Sequence, residues 1–395
     1  MNQVNAIGAG GRPHHEPHLN PNERAILSLL QRNGSMPGSD LARQTGLSAQ
    51  TISVILRKLK SNGLTQQGKP VRGKVGKPSV PITLDPLGAL SVGCKLGRRS
   101  CDLIVMDFCG KKLFERNLTY DIAIPQTVFT FLEESFADAL GEIGAKAAER
   151  LCGFGIAAPF EIWKWGASDG NTPEEFLSWK DLSFEREIAR FTDLPVFMLN
   201  DATSACWAEQ LYGGGRQFND YAYFFVSTFI GGGIVLNQSV YEGTRGNAGA
   251  FAPLRVGDRA GRTQQLLDVA SVHVLETALA KSGKDYRDLW KIPQDWSGFE
   301  DEVKDWIDGA AHAIAQACMS ACAVIDFEAV IIDGALPRDV RKRLVEAVRA
   351  KLLNEDSRGL LVPDVAEGVI GGGARALGAA CDPIYNQFFV TSQLV

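Results

Sequence analysis

A chain of 395 residues is too long for one ordinary hydrophobic core and predicts two or three folding units. With 45% hydrophobic and 22% charged residues, its composition excludes the disordered and fibrous classes. The net charge of −5 divides unevenly: residues 1–85 hold eleven basic and four acidic side chains, the rest thirty and 42. A head at +7 on a body at −12 predicts a nucleic-acid-facing N-terminal unit. Eight cysteines stand singly, with no Cys-x-x-Cys, which predicts reduced thiols packed as small apolar side chains and no metal site. Residues 1–11 lack a cationic-then-apolar leader, and the uncharged run 221–241 carries a triple glycine and many β-branched and aromatic residues. That run predicts a strand hairpin rather than a membrane span, and a cytoplasmic protein is expected.

In chain order, residues 1–18 lack apolar periodicity and predict a tail, with His14, His15 and His18 solvated rather than metal-bound. Residues 19–85 predict a winged helix-turn-helix. Asn20, Pro21 and Glu23 form a capping-box start, and Ile26, Leu27, Leu29 and Leu30 give one apolar face ending at Asn33-Gly34. A second short helix is predicted over 39–45, stopped by Gly46, and Ser48 caps a third that ends at Asn62-Gly63. Short strands at 64–67 and 80–84 bracket the polar loop 68–79 as a wing, and Asp85-Pro86 marks a boundary.

Positions 41–80 contain eight basic residues and no acidic one, the pattern that phosphate neutralisation requires. The candidate DNA contacts on the third helix are Ser48, Gln50, Thr51, Ser53, Arg57 and Lys58, types able to bond base edges or phosphates. In the wing, Arg72, Lys74 and Lys77 alternate with glycine, slim enough for a narrow minor groove. A merely solvated basic face would explain the charge, but not the charge together with the helix spacing and the wing.

Beyond residue 89 the pattern becomes α/β. Strands are predicted at 90–95, 102–107, 151–157, 196–199, 221–228, 232–236, 330–333 and 368–370, with a helix over 125–150. Two similar hairpins, each opening a βα-rich half, predict two related lobes around a cleft: 86–200, and 201–395 with the C-terminal helix returning to the first.

The run from Leu194-Pro195-Val196 into Asn200-Asp201, the glycine run from Ser227 to Val235, and Arg245-Gly-Asn-Ala-Gly249 together resemble the ROK family of sugar kinases and sugar-responsive repressors. The head and wing look like those of the family's regulators, the xylose and N-acetylglucosamine repressors among them. The resemblance spans residues 19–380 and implies an actin-like, sugar-kinase-like (RNase H-like) body of two lobes behind the winged head. It makes Asp201 the position of the kinases' general base, and Asn200, Asp201 and Asn247 the candidate ligand contacts. Helix capping is the plainer role for Asn200 and Asp201. Trp163, Trp165 and Trp179 could stack on a sugar or simply fill the core.

The departures from the resemblance matter as much. Lys95 stands where the first phosphate loop, 92–99, should begin with an aspartate; Phe229 replaces a glycine of the second; Ala250 and Pro253 replace the expected glutamate and histidine. No cysteine lies between Cys206 and Cys318, so the family's zinc motif is missing, and His273 reads as a helix residue. Expected, then, is a repressor-type DNA-binding regulator of carbohydrate-related genes, a homodimer or homotetramer, with a sugar-derived ligand in the cleft and no cofactor. Two alternatives stand beside it: a regulator that retains kinase activity through Asp201, and a ligand-blind DNA-binding dimer.

Overall fold

The computed structural model describes residues 19–70, 80–159, 162–164, 174–257 and 262–390. The candidates Arg72, Lys74 and Lys77, together with Trp165, His14, His15 and His18, lie outside them.

Helix α1 (Pro21–Asn33) opens on a reciprocal cap: Asn20 Oδ1 accepts from the Glu23 amide at 2.9 Å, and Glu23 Oε2 accepts from the Asn20 amide at 3.0 Å. A short strand β1 (Met36–Pro37) leads into α2 (Gly38–Thr45), which stops at Gly46 with φ +70°. Ser48 Oγ accepts from the Thr51 amide at 3.1 Å and starts α3 (Ala49–Ser61). Strands β2 (Thr65–Gln67) and β3 (Pro81–Leu84) pair antiparallel, and β1 adds to the far side of β3. Two residues are too few to show alternation, so β1 left no trace in the sequence pattern.

The body holds two five-stranded sheets of the same design. In the first, Lys112–Thr119, Ser100–Asp107 and Leu90–Leu96 form an antiparallel meander, continued in parallel by Leu151–Ala158 and Val196–Asn200. In the second, Ser239–Tyr241, Gly231–Leu236 and Tyr221–Val226 repeat the meander, continued by Ala329–Gly334 and Asp364–Glu367. Strand Lys112–Thr119 was not predicted, because an edge strand that turns most of its residues to solvent has no clean hydrophobic alternation. The expected helix over 125–150 breaks at Gly144, φ +81°, into Pro125–Ile143 and Ala145–Ala148. The strand expected at 368–370 lies earlier, at Asp364–Glu367, since Gly368 is where the chain leaves the sheet and packs against Asp333. Cys109 is exposed rather than buried, on the turn after Ser100–Asp107.

Helix Ala374–Phe388 lies on the first sheet and beside helix Asp201–Tyr212. Contact is at backbone level: a Cβ at Gly155 would sit 1.8 Å from Ala379 O, and one at Gly378 1.7 Å from Ser204 O. The head is not tethered loosely to this arrangement. Ile26, Leu27 and Leu30 belong to the same buried apolar cluster as Phe108, Phe388 and Phe389. Arg24 Nη1 donates to Asn386 O at 2.9 Å, the Val390 amide to Ser28 Oγ at 2.9 Å, and Gln31 Nε2 to Leu211 O at 3.3 Å.

Near this junction, burial and the Glu242 carboxylate push the Asp382 carboxyl up to about 7, against the opposing Asn386 hydrogen bond. A carboxyl whose folded pKa is raised loses stability for the fold as pH climbs from the unfolded value, near 3.8, through the folded one, near 7. Asp382→Asn, which keeps the acceptor for Asn386, is therefore expected to unfold at higher denaturant concentration than wild type at pH 8. The difference should vanish toward pH 4, and equal midpoints at pH 8 would contradict it.

Candidate nucleic-acid interface and ligand cleft

Helix α3 buries Ile52, Ile55 and Leu59 and turns Ser48, Gln50, Thr51, Ser53, Arg57 and Lys58 outward. The outward set is not uniform. Lys58 Nζ lies 2.6 Å from Glu23 Oε1, a carboxylate only 2% exposed, and the Ser48 hydroxyl shares a hydrogen with Thr51 while capping the helix. Asp40 holds Arg43 in the same way at 3.0 Å. Thus the window 41–80, free of acids in sequence, has two folded onto it in space. Gln50, Ser53 and Arg57, one heptad apart at their extremes, form the exposed stripe with no ion pair among the described residues.

Between the sheets lies a cavity of about 990 Å³. Asn200, Asp201 and Asn247 all line it, so the structure brings the three ligand candidates together. Asn200 also fulfils the capping role: its Oδ1 accepts from the Ala202 and Thr203 amides at 3.0 and 3.3 Å. Asp201 Oδ2 accepts from Arg375 Nη1 at 3.2 Å, across from the C-terminal helix. Trp179 is core, 2% exposed with its indole donating to Ala123 O, and neither it nor Trp163 lines the cavity. The tryptophan among the lining residues is Trp290, whose indole donates to Glu276 Oε1 at 2.7 Å. His273 sits in the first turn of helix Val272–Lys281, as expected of a helix residue, yet it also lines the cavity, with Nδ1 3.1 Å from Glu276 Oε2. Burial would raise the Glu276 carboxyl, but the His273 and Trp290 hydrogen bonds and the Arg99 charge outweigh it and hold the carboxyl low.

The two loops facing the cavity are closed by protein groups. Lys95, 4% exposed, donates to Ser100 Oγ at 2.5 Å and pairs with Asp102 Oδ2 at 3.1 Å. From the next turn Arg98 stacks over the Phe229 ring at 5.1 Å, so the first loop reaches the second across the cleft. Behind Phe229, the first amides of helix Val272–Lys281 are already used: Val272 N donates to Ser227 O at 2.9 Å and His273 N to Thr228 O at 3.1 Å. A helix N-terminus so occupied offers a phosphate little. The glycines that follow serve packing. A Cβ at Gly232 would lie 2.5 Å from Tyr223 O, and one at Gly233 2.6 Å from Cys206 Cβ.

Residues 91–381 match the ROK family, and residues 19–64 match the winged helix-turn-helix DNA-binding family. The chain belongs to the ROK family. Within it, the chain is 25% identical over 376 residues to an uncharacterized protein, y4fQ, of Sinorhizobium fredii, covering 94% of this chain and 93% of that one. It is 22% identical over 238 residues to the xylose repressor of Bacillus spizizenii, covering 60% of each. The crystal structure of a ROK family transcriptional regulator, a homologue of the E. coli MLC protein, superposes with a TM-score of 0.66 at 18% identity, over 95% of this chain and 98% of that one. Kinases of the family are also among its relatives and structural neighbours. No helix among the described residues is long and apolar enough to cross a membrane.

Arg375 and Glu276 are two of the cleft residues that the sequence alone does not mark. Each sits in the first turns of a helix where nothing in spacing or composition sets it apart. Arg375 was visible only as a lone cation in the otherwise uncharged stretch 368–381.

Proposed function

We propose that this chain is a sequence-specific DNA-binding regulator, a repressor of carbohydrate-related genes, controlled by a sugar-derived ligand in the interlobe cleft. It works in the cytoplasm as a homodimer or homotetramer reading paired half-sites, with α3 and the wing cations Arg72, Lys74 and Lys77 as its DNA contacts. It is not an enzyme: the nucleotide side of the cleft is filled by the Arg98–Phe229 stack, and Asp201 is committed to Arg375. The xylose repressor among its relatives supports the carbohydrate assignment.

The observation that carries the reading is a pair of helices running from cleft to head. Asp201–Tyr212 and Ala374–Phe388 both begin at the Asp201–Arg375 ion pair. Both end on α1, at the Leu211–Gln31 and Asn386–Arg24 hydrogen bonds. A ligand that shifts the ion pair biases head position through these two helices, the differential contact that coupling requires.

The test is fluorescence anisotropy of a selected operator titrated with protein, with and without a panel of sugars and sugar derivatives. A member of the panel is expected to change operator affinity by about fivefold or more. Arg24→Ala should bind the operator within about threefold of wild type while losing most of that response. A panel without effect removes ligand control, and an undiminished response in Arg24→Ala removes this route.

A further inference from the structure

One residue on the outward face of α3 is apolar. Val54 is 57% exposed, the only large apolar side chain so exposed among the described residues of the head. At 100° per residue, Gln50, Val54 and Arg57 fall within about 60° of one another, opposite the buried Ile52, Ile55 and Leu59. The helix neighbours of Val54, one turn before and one turn after, are Gln50, Thr51, Arg57 and Lys58. Two of them are already engaged, Lys58 with Glu23 and Thr51 with Ser48. Val54 therefore stands in the middle of the stripe formed by Gln50 and Arg57.

A lone exposed valine is ordinary on a surface that meets only water. The surroundings of Val54 set it apart. Every neighbour on its face is polar or charged, so it extends no apolar patch of the head. Its β-branch restricts χ1 and makes valine one of the weaker helix formers, so neither solvation nor helix stability favours it at this position. The major groove of DNA does. The base edges there present hydrogen-bond donors and acceptors, with one apolar group among them, the C5 methyl of thymine. Any other edge placed against an apolar side chain gives up water without a replacement hydrogen bond.

Given α3 as the reading helix, the step on which this one rests, we infer that Val54 is a specificity residue of the operator contact. Its methyl groups pack on the C5 methyl of a thymine in each half-site, between the positions that Gln50 and Arg57 face. The helix rises about 6 Å from Gln50 to Val54 and about 4.5 Å from Val54 to Arg57, against about 3.4 Å per base pair. The thymine thus lies within about two base pairs of either contact. Val54 contributes no hydrogen bond and no charge, so its effect falls on sequence preference and leaves the salt dependence of binding unchanged.

The test uses the full-length protein and the duplex operator selected from genomic DNA. Each thymine of a half-site is replaced in turn by deoxyuridine, which removes only the C5 methyl. Fluorescence anisotropy is expected to show one position where the replacement weakens wild-type binding by about fourfold, the share of one buried methyl. Made in both half-sites, it should weaken binding by about 15-fold. Val54→Ser, a change at an exposed site, should melt at the wild-type temperature, bind the thymine operator more weakly and no longer distinguish deoxyuridine at that position. Val54→Ile, which keeps the apolar surface, should keep the distinction. A half-site without thymine, a wild type blind to every replacement, or a distinction that persists unchanged in Val54→Ser overturns the inference. So does a Val54→Ser variant that binds the thymine operator as tightly as wild type. The two failures are separable. Selection that yields no operator, or a Gln50 and Arg57 double alanine variant with full affinity, removes α3 as the reading helix and this step with it. A double variant that loses affinity, beside a wild type blind to the methyl, leaves α3 in place and removes Val54 alone.

Discussion

Replacing Gln50 and Arg57 together by alanine should weaken operator binding by about 100-fold, with stability unchanged. Both side chains are exposed on α3, seven residues apart and therefore on one face, opposite the buried Ile52, Ile55 and Leu59. A glutamine or arginine that bonds a base edge contributes about 1–3 kcal/mol of discrimination, so two such losses reach that size. Competition with unrelated DNA separates the roles: a base contact relaxes sequence preference, whereas a phosphate contact lowers the salt slope by about one. Lys58→Ala should behave differently from either. Its ammonium neutralises Glu23, which is 2% exposed and belongs to the α1 cap, so its loss should lower the melting temperature more than the affinity. Full operator affinity in the double variant would remove α3 as the reading helix.

Restoring the aspartate that the family's kinases carry at position 95 should damage the protein rather than revive an enzyme. Lys95 is the buried partner of Asp102, whose carboxyl is held low by the Lys95 charge and the Asn117 amide against the upward push of burial. Lys95→Asp removes the cation and sets a second carboxylate beside the first. Breaking a buried pair in this way costs about 3–5 kcal/mol. Chemical denaturation should show that loss, and coupled assays should show no sugar-dependent ATP consumption in wild type or variant. A variant as stable as wild type, or one that gains phosphorylation abolished by Asp201→Ala, would contradict the account of the cleft. Phe229→Gly should not help it, since Ser227 and Thr228 carbonyls still occupy the helix amides behind the ring.

The elements legible in the sequence were those whose signals are local. The Asn20-Pro21-Glu23 cap, the Gly46 stop and the Ser48 cap appear in the structure as side-chain hydrogen bonds and a positive φ. The central strands were legible as short apolar runs, and the related lobes as two similar hairpins. Partnerships between distant residues were not legible. Lys58 read as a DNA contact because Glu23 is thirty-five positions away, and the Asp201–Arg375 pair joins residues 174 apart. Trp179 shows the same limit: a tryptophan in a polar stretch reads equally well as wall or core, and only the Ala123 carbonyl beneath its indole decides. The departures at Lys95 and Phe229 were visible as substitutions. The stack of Arg98 on Phe229, which joins the first loop to the second, was not.

The measurement that tests the central claim most directly is selection of sheared genomic DNA on the purified full-length protein, followed by sequencing. A regulator of this design predicts enrichment of a two-fold-related motif, beside genes of carbohydrate uptake or breakdown, that is lost in the Gln50 and Arg57 double variant. Folded protein that enriches nothing at low salt would contradict it.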